Sequence, residues 1–471
     1  MNSFIQISIR DSGHCLESAS ALDIERVPNA LKIAIIYPEV LDMARFQEDR
    51  KEFPPFGAMY LASVLENCGN DVKILSVDGG PGDRMDLSEF DVVGYSISSS
   101  VCLGMMRDSR NNSIIPEGTK VIAGGVHANF YPEETLREFD AKVVAYGESE
   151  WIIEEICRAE SDAEYARIPG IVWTDQFGEV IKNPATPIMK NINTLPHPAR
   201  HLIEKEKIVM GDRLAGTDLK MAHTMLSRGC PFPCTYCAAG QTRIQYRSGD
   251  SAREELIDLK RRYNIQGFAI IDDNFIVARQ KVMEICDSIS DLGLKWSALS
   301  RVDTVDKELL EKMREAGCIE IKFGVESGSD KILKAMKKRI SKTDTLNAFQ
   351  LCDEVGINAK AFIIHGYPGE NLHTTDETMN LLREIGDLSD RVSLFRFVPL
   401  PGTQVYEEKD SAGEFVIHGT HLANDWDGDW SKFHLYRNGR HWWGSDDDFS
   451  ELNDAYQKLR EFVEERWGRQ D

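Results

Sequence analysis

The sequence lacks the long apolar runs that membrane-spanning helices require. No stretch of the 471 residues approaches the roughly 18 consecutive apolar residues that cross a bilayer. The N-terminal segment MNSFIQISIRDSGHC also lacks the charged and then apolar pattern of a secretion signal. We therefore expect a cytoplasmic protein without a membrane span.

An excess of positive charge is also missing. The chain has 55 Lys and Arg against 77 Asp and Glu, which gives a formal net charge of −22 at pH 7. A surface of this sign repels the phosphates of nucleic acids, so we expect no nucleic-acid partner. Apolar residues make up 42% of the chain and charged residues 28%, close to the averages for globular proteins. The length predicts more than one domain.

Disulfide bonds are not expected either, although the chain has ten cysteines. Disulfide frameworks are typical of short secreted chains, and this chain is long. Seven cysteines stand singly, as small buried apolar residues often do: Cys15, Cys68, Cys102, Cys157, Cys286, Cys318 and Cys352. Only Cys230, Cys234 and Cys237 form a cluster, which favours reduced thiols or metal ligands there.

The first regular pattern begins at Leu31, after an N-terminal arm over residues 1–30. Short apolar runs alternate with amphipathic segments, which predicts parallel strands separated by helices. The runs are LKIAIIYP, DVKILSV, DVVGYSISSS, KVIAGGVH and AKVVAYGESE, and a hairpin-like stretch follows from Ile168. We predict a doubly wound, Rossmann-like α/β domain over residues 31–191, with ligands beyond the carboxyl ends of its strands.

A linker over residues 192–220 leads to a second series of strands and helices over residues 221–408. The strand candidates are HTMLSRGC, GFAIIDDNF, KWSALSRVD, CIEIKFGVESG, AKAFIIHGYPG and VSLFRFVPLPG. Six βα units fall short of the eight of a closed barrel, so the pattern predicts a partial (β/α)6 TIM-like barrel. Residues 409–471 form an acidic and aromatic, α-rich extension that ends in a helix.

The clustered cysteines lie in SRGCPFPCTYCAAG, directly after the first strand of the partial barrel. Their CxxxCxxC spacing supplies three thiols, and a closed structural zinc site needs four ligands. No fourth Cys or His lies at close sequence spacing. An iron–sulfur cluster with one iron open to another ligand fits three thiolates better. The pattern therefore indicates a [4Fe-4S] cluster held by Cys230, Cys234 and Cys237.

CxxxCxxC at the mouth of a partial barrel resembles the radical S-adenosylmethionine (radical SAM) superfamily. The resemblance implies that the open iron binds S-adenosylmethionine (SAM). It further implies that an electron from the cluster cleaves SAM to methionine and a 5′-deoxyadenosyl radical. No catalytic side chain is then expected beyond the cluster ligands, because the chain's task is to position and shield the cofactors.

The same resemblance suggests which residues contact SAM. Tyr236 stands where the family has an aromatic side chain near adenine, and the other candidates lie at strand ends. They are Ser300, Arg301, Glu326, Ser327, His365, Gly366 and Pro399. The alternative for each polar residue is a structural role, since strand-end side chains often satisfy backbone groups or cap helices.

The first domain resembles the cobalamin-binding domain of the cobalamin-dependent radical SAM class. The resemblance rests on GYSISSS, VIAGGVHANFYPEE and VVAYGESE. It implies cobalamin contacts from Tyr37, Ser96, Ser98, Gly124, Gly125 and His127. For His127 the alternative is a hydrogen-bonded histidine at a strand end. The cobalt-ligating DxHxxG signature is absent, because Tyr37, Pro38 and Glu39 follow the first strand, so no protein histidine on cobalt is expected.

The two resemblances together imply a methyltransferase that uses SAM and methylcobalamin. Its substrate would be an unactivated carbon, or phosphorus, of a small metabolite or natural product. One SAM would remethylate the cobalt and a second would be cleaved. A reducing partner such as flavodoxin or ferredoxin would supply the electron.

Three alternatives remain open. An oxidative cyclase or rearrangement enzyme has the same domain order and transfers no methyl group. A methylthiotransferase carries a second set of cluster cysteines in its first domain. Cys15, Cys68 and Cys102 do not match that set, because the fourth predicted strand ends in AGGVH without a cysteine. A non-enzymatic cobalamin carrier predicts no SAM cleavage.

Overall fold

The computed structural model describes residues 30–39, 54–78, 84–185, 191–211, 218–407, 416–417, 420–421 and 446–468. The predicted arm, apart from Ala30, lies outside the described residues, as do residues 422–445 of the predicted extension. No helix in the described ranges is both long and apolar enough to span a membrane.

The first domain is built on a seven-stranded sheet with the order β2-β1-β3-β4-β5-β6-β7. Its strands are β1 Lys32–Pro38, β2 Asp71–Val77, β3 Val92–Ser96, β4 Lys120–Gly124, β5 Val143–Ala145, β6 Ile171–Thr174 and β7 Val180–Lys182. The first five pair in parallel, as predicted, because their apolar runs are covered on both faces. The predicted hairpin, β6 and β7, extends the same sheet antiparallel to β5.

Helices cover both faces of this sheet. They are α1 Phe56–Asn67, α2 Leu103–Asn112, α3 Val126–Phe130, α4 Pro132–Glu138, α5 Ile153–Arg158 and α6 Asp162–Tyr165. One apolar core lies between the sheet and α1 and α5, and a second lies on the opposite face under α2 and α4. The doubly wound architecture is therefore confirmed.

The second domain contains another seven-stranded sheet, with the order β16-β15-β14-β13-β12-β9-β8. Its strands are β8 Val209–Gly211, β9 Lys220–Thr224, β12 Gly267–Ile270, β13 Lys295–Ser300, β14 Cys318–Glu326, β15 Asn358–His365 and β16 Arg391–Arg396. Six strands are parallel and form the predicted curved half-barrel. β8 joins antiparallel to β9, so residues predicted only as a linker supply an edge strand.

The helices of this domain lie on the outside of the half-barrel, except the short helix Gln404–Glu407, whose Val405 and Tyr406 belong to the core shared with the first domain. They are α7 Lys205–Ile208, α8 Gly249–Tyr263, α9 Arg279–Ile289, α10 Lys307–Glu315, α11 Asp330–Ala335, α12 Lys342–Val355, α13 Leu372–Ile385, α14 Gln404–Glu407 and α15 Asp446–Trp467. Two small hairpins accompany them, β10 Ser227–Arg228 with β11 Gln245–Tyr246, and β17 Val416–Ile417 with β18 Thr420–His421. Caps fix several helix ends, including a capping box at Ser341 and a left-handed Gly356 around α12.

The segment between the domains packs against both of them. Ala199 belongs to the apolar core beneath α1, whereas Ile208 belongs to the core of the half-barrel. The buried Arg200 forms an ion pair with Glu255 of α8, with 2.6 Å between Nη2 and Oε1. It also donates a hydrogen bond to the carbonyl of His223 in β9. This segment therefore fixes the first domain to the half-barrel.

The two domains also share an apolar core at their facing ends. Side chains from β1, β3 and β4 cluster with Tyr367, Phe397 and Tyr406 of the second domain. Because these three residues lie at or beyond the carboxyl ends of barrel strands, the mouth of the half-barrel faces the first domain.

Candidate functional site

The loop that carries the three cysteines is closed on itself between β10 and β11. Gly229 begins it at φ +90, where a Cβ would stand 2.5 Å from the carbonyl oxygen of Arg243, so only glycine fits. The Cys230 amide donates to Oγ1 of Thr242 at 2.8 Å, and the Thr242 amide donates back to the Cys230 carbonyl at 2.9 Å. These contacts bring the two ends of the cysteine loop together.

The middle of the same loop is attached to the mouth of the half-barrel through Thr235. Its amide donates to the Met336 carbonyl at 3.0 Å, and its hydroxyl lies 2.7 Å from the hydroxyl of Tyr367. Its carbonyl accepts from the amide of Val405 at 3.0 Å. Three separate elements of the barrel therefore position the cysteines over the ends of its strands.

The thiols of this loop suit a cluster better than a single metal ion. All three are free, and Cys230 is buried. Burial raises the pKa of the Cys237 thiol to about 11, so the thiolate needs nearby positive charge such as iron. Within the described ranges, no three His, Cys, Asp or Glu side chains converge on one metal position. A cubane needs no such convergence, because each thiolate ligates a different iron.

Arg301 places a positive charge beside this loop. Its Nη1 donates to Sγ of Cys234 at 3.6 Å, and its guanidinium lies 3.9 Å from the ring centroid of Phe232. Asp303 accepts two hydrogen bonds from it, each 2.8 Å long, and the Lys338 carbonyl accepts a third at 2.6 Å. The buried guanidinium is thus fixed before any ligand arrives.

Tyr236 and Glu326 meet at the same mouth, together with Lys338. Oε1 of Glu326 accepts from the Tyr236 hydroxyl at 2.9 Å and from Nζ of Lys338 at 2.7 Å. Burial, with the Glu326 charge, raises the pKa of Tyr236 well above its ordinary value, so its hydroxyl stays a donor. Glu326 has φ +67, a strained conformation for a residue with a side chain. The three groups form a polar set beside the cysteines, in which Glu326 and Lys338 are buried and Tyr236 is half-buried.

Three of the predicted SAM contacts bond to other side chains of the barrel. The hydroxyl of Ser300 lies 2.8 Å from that of Thr304, and Ser327 lies 3.2 Å from Thr378. Nε2 of His365 lies 3.1 Å from Oγ1 of Thr375, and its ring packs against Tyr456 of α15. Ser327 and His365 thus bond to α13, and Ser300 bonds to the turn that follows β13. The contact of these residues with SAM stays a prediction.

Gly366 and Pro399 lie at two strand ends beside the mouth. Gly366 has φ +89, and its amide donates to the carboxyl group of Glu370. Burial raises the pKa of Glu370 to about 8. Pro399 is buried within the segment that follows β16. Both residues shape backbone at the mouth, and their contact with SAM stays a prediction.

The first domain contains a cleft between its sheet and helices α1 and α5. Its lining is mostly apolar. Ser96, Gly124 and Gly125 line it at the ends of β3 and β4, together with Gly94. Small residues let a ligand approach the backbone closely, so the cleft fits the elongated tail expected for cobalamin.

Gly125 is required at the end of this cleft. It has φ +99, and a Cβ there would stand 2.6 Å from the carbonyl oxygen of Ile97. Its ψ of −173 completes a conformation that is essentially restricted to glycine. The GG pair in the sequence therefore reflects a real backbone constraint at β4.

The other predicted cobalamin contacts lie away from the lining. Ser98 is exposed, and His127 is buried at the start of α3 rather than at a strand end, with Nδ1 2.9 Å from Oγ of Ser100. Burial lowers the pKa of His127 to about 4, so its ring is neutral. Tyr37 is buried, and Lys207 ion-pairs with the neighbouring Glu39.

Direct contacts join the cysteine loop to the end of the first domain's sheet that carries the cleft. Arg228, two residues before Cys230, donates to Glu150 at 2.7 Å and lies 3.6 Å from Glu148. Both carboxylates follow β5 of the first domain. A Cβ on Gly402 would overlap the ring of Phe130, so α3 packs tightly on the segment after β16.

Sequence reasoning missed four residues of this site. Lys338 stands in a run of basic residues. The left-handed backbone conformations of Lys337 and Arg339, which turn its side chain inward, are not predictable from the sequence. Phe232, Arg228 and Asp303 also had no distinguishing pattern, although Asp303 lies only two positions from Arg301.

Comparisons with known proteins agree with this arrangement. Residues 224–382 match the radical SAM superfamily, and residues 47–156 match the B12 binding domain. The chain thus carries a radical SAM domain within its barrel and a B12-binding domain before it. It is therefore an enzyme of the class that uses a [4Fe-4S] cluster, SAM and cobalamin.

Several curated relatives match about three quarters of this chain. The uncharacterized methyltransferase PH0819 of Pyrococcus horikoshii is 29% identical over 369 residues, covering 75% of this chain and 78% of the relative. Cytidylyl-2-hydroxyethylphosphonate methyltransferase of Streptomyces wedmorensis is 27% identical over 425 residues, covering 75% and 77%. Anaerobic magnesium-protoporphyrin IX monomethyl ester cyclase of Rubrivivax gelatinosus is 24% identical over 377 residues, covering 76% and 66%.

A solved structure shares the fold across both domains. TsrM from Kitasatospora setae, a radical SAM methyltransferase solved with cobalamin and a [4Fe-4S] cluster bound, has a TM-score of 0.65 to this chain at 14% identity. The match covers 92% of this chain and 88% of TsrM. At this identity the likeness concerns the fold.

Proposed function

We propose that the protein is a cobalamin-dependent radical SAM methyltransferase that methylates an unactivated carbon of a small molecule. The observation that carries the proposal is the direct contact between the two cofactor regions. Arg228 ties the cysteine loop to Glu150 of the first domain, and Phe130 packs on Gly402 at the barrel mouth. A substrate held at this junction is within reach of both cofactors.

The chain's own residues bind, orient and shield. We propose that Tyr236, Glu326 and Lys338 hold the polar groups of SAM, and that Arg301 keeps a positive charge beside Cys234. The shared apolar core, with Tyr367, excludes water around them. When bound, the cluster supplies an electron and cobalamin supplies the methyl group.

Methyl transfer is favoured over cyclisation by the names of two of the relatives, PH0819 and the hydroxyethylphosphonate methyltransferase, and by TsrM. A methylthiotransferase with a second cluster is disfavoured, because Cys68 and Cys102 lie in different parts of the first domain's fold, on α1's C-terminal cap and before α2. The product mass separates the first two possibilities, since only methyl transfer adds one CH₂.

The first experiment is anaerobic purification with iron, sulfide and hydroxocobalamin, followed by measurement of both cofactors per chain. Near four irons and one cobalamin is the expected result. Candidate substrates are then incubated with SAM and reductant. A product heavier by one CH₂, together with S-adenosylhomocysteine and 5′-deoxyadenosine, supports the proposal. Substrate conversion without that mass gain would contradict it.

We also propose that a flavodoxin or ferredoxin reduces the cluster and that the reaction takes place in the cytoplasm. To test the first point, SAM cleavage is measured with flavodoxin and then with ferredoxin as the electron donor. Cleavage with a chemical reductant but with neither protein donor would contradict it.

A further inference from the structure

Residues 331–342 form a strongly basic segment in an acidic chain. The segment KILKAMKKRISK, which runs from α11 to the start of α12, contains six cationic side chains and no carboxylate, whereas the whole chain has a net charge of −22. Two of the six are paired, Lys338 with Glu326 and Lys342 with Glu384. The other four are exposed and form a basic surface: Lys331, Lys334, Lys337 and Arg339.

This basic surface has no carboxylate partner in the part of the chain that the structure describes. Lys331 donates to the carbonyl of Gly369 at 3.0 Å, and Lys337 donates to the side-chain oxygen of Gln404 at 2.8 Å. The other two side chains form no hydrogen bond or ion pair within the described ranges. Both cations of α9, by contrast, pair with carboxylates. The basic surface therefore attracts anionic partners more strongly than the barrel helix α9.

The backbone of the basic surface contacts the cysteine loop directly. The amide of Thr235, the neighbour of Cys234, donates to the Met336 carbonyl at 3.0 Å. The Thr235 hydroxyl also lies 3.4 Å from the Ala335 carbonyl, which accepts from it. Lys337 follows these two carbonyls in the chain. Its exposed side chain therefore projects from backbone that holds a predicted cluster ligand in place.

Arg301 makes a second connection between the basic surface and the cluster ligands. Its guanidinium donates to the carbonyl of Lys338 at 2.6 Å and to Sγ of Cys234 at 3.6 Å. Arg339, whose side chain is exposed, is the next residue after Lys338. A molecule that binds to these cations therefore comes close to the cluster.

The composition of the basic surface favours a protein partner over a nucleic acid. Residues 331–342 contain no aromatic side chain, whereas single-stranded nucleic acids bind to cations combined with stacking aromatics. The acidic remainder of the chain also repels a long polyanion. Electron-transfer partners, by contrast, use small interfaces, and charge complementarity speeds their encounter. A compact basic surface beside a cluster suits a small acidic electron carrier.

We infer that the basic surface is the docking site of an acidic flavodoxin that reduces the cluster. This inference rests on the proposed function, which requires an electron donor, and it assigns the surface that binds the donor. One electron leaves the reduced flavin and enters the oxidised cluster, so the flavin loses the electron that the cluster gains. Pro231 and Ala238 of the cysteine loop are exposed and offer apolar contact to the edge of the flavin ring.

The test uses the full chain loaded with iron, sulfide and hydroxocobalamin, with oxidised flavodoxin as the probe. Binding is measured by titration calorimetry without reductant. Lys331→Glu/Lys334→Glu reverses two exposed charges of α11 and should weaken binding at least about fivefold. The difference from the unmodified chain should narrow between about 50 and about 300 mM NaCl, because salt screens exposed charges.

Lys220→Glu/Lys295→Glu is the matched control. These lysines are the exposed first residues of β9 and β13, at the end of the half-barrel opposite the cysteine loop. They form no ion pair in the described part of the chain. Both variants change the net charge equally, yet the control should bind flavodoxin within about twofold of the unmodified chain. Equal weakening in the two variants would overturn the inference.

Electron transfer provides a second measurement on the same samples. With reduced flavodoxin, Lys331→Glu/Lys334→Glu should need at least about fivefold more of the donor for half-maximal formation of 5′-deoxyadenosine. With dithionite, which needs no docking surface, its rate should stay within about twofold of the unmodified chain. An equal loss with both reductants would contradict a docking role.

The outcomes separate this inference from the proposed function. If the unmodified chain cleaves no SAM with either reductant, the proposed function fails. If dithionite supports cleavage but Lys331→Glu/Lys334→Glu binds flavodoxin normally, the docking site alone is rejected. Binding of ferredoxin and not of flavodoxin would overturn the choice of partner. Binding of a short single-stranded RNA that is lost in the same variant would assign the surface to nucleic acid instead.

Discussion

The two cofactor regions of this protein are built by opposite means. The cleft of the first domain is made from backbone and small residues, with Gly124 and Gly125 at its end. The barrel mouth is made from charged side chains. Arg301 donates to Asp303 and to the carbonyl of Lys338, and Lys338 donates to Glu326. The elongated nucleotide tail of cobalamin needs room close to a sheet, whereas the small zwitterionic part of SAM needs matched charges.

The largest expected effect is a loss of the cluster at the barrel mouth that leaves the cleft of the first domain unaffected. Cys234→Ala removes one of three cluster ligands, so iron content and SAM cleavage should fall by more than about 100-fold. Removing a residue that only supports a metal ligand has a smaller effect. Cobalamin uptake by the first domain should persist. Cys68→Ala is the control, since Cys68 lies on the cap of α1 far along the chain from the loop. Retained SAM cleavage in Cys234→Ala would reject the cluster assignment.

The next largest effect is a loss of cobalamin uptake by the cleft of the first domain. Gly125→Ala forces a side chain into a glycine-only conformation against Ile97, which should cost about 1–3 kcal/mol of unfolding free energy and abolish cobalamin uptake. Iron content should be unchanged. Gly178→Ala provides the matched control, because Gly178 has φ +85 in the β6–β7 turn but open space around it. Equal cobalamin loading in both variants would contradict the close-approach argument.

The third prediction concerns the contact that joins the two regions. Arg228→Gln removes the ion pairs to Glu148 and Glu150, which should lower the unfolding free energy by about 1–3 kcal/mol. A double-mutant cycle with Glu150→Gln, measured by denaturant unfolding, reports the coupling. We expect the two changes to be less than additive. Full additivity would show that the pair contributes nothing.

The smallest expected effect is a pH dependence at the barrel mouth. Burial raises the folded pKa of Glu370 to about 8, above its unfolded value, so the folded state keeps a proton that the unfolded state releases. Stability should therefore fall by about 1 kcal/mol or more as pH rises from 5 to 8. Glu370→Gln should remove this part of the slope in denaturant unfolding. An unchanged slope would mean that Glu370 is ionised in the fold.

Much of the fold could be predicted because its strands are short apolar runs bounded by turn residues. All five parallel strands of the first domain and three of the half-barrel, β12, β13 and β14, lie within the predicted runs. β15 and β16 each begin one residue before their runs, and β9 begins at Lys220, three residues before its run. The final helix begins at Asp446 and ends at Trp467, as its sequence pattern indicates. β8 was missed, because three residues in a connecting segment carry no periodic signal.

The side-chain directions were harder to predict. Sequence reasoning grouped His365 with Gly366 at the barrel mouth, yet His365 lies on the helix side of β15. Strands covered on both faces lack a clear alternation of polar and apolar residues, so neither face is marked in the sequence. A single position of register separates an inward side chain from an outward one.

The sequence by itself determined the two α/β domains, the cysteine triplet and the absence of a histidine after the first strand. These depend on local spacing and on periodicity over a few residues. Only the tertiary structure decided that Arg228 meets Glu150, 78 positions away, and that Tyr236 meets Glu326, 90 positions away. Such contacts depend on how whole sheets and helices pack. Their free energy is shared among many residues, and no short segment encodes it.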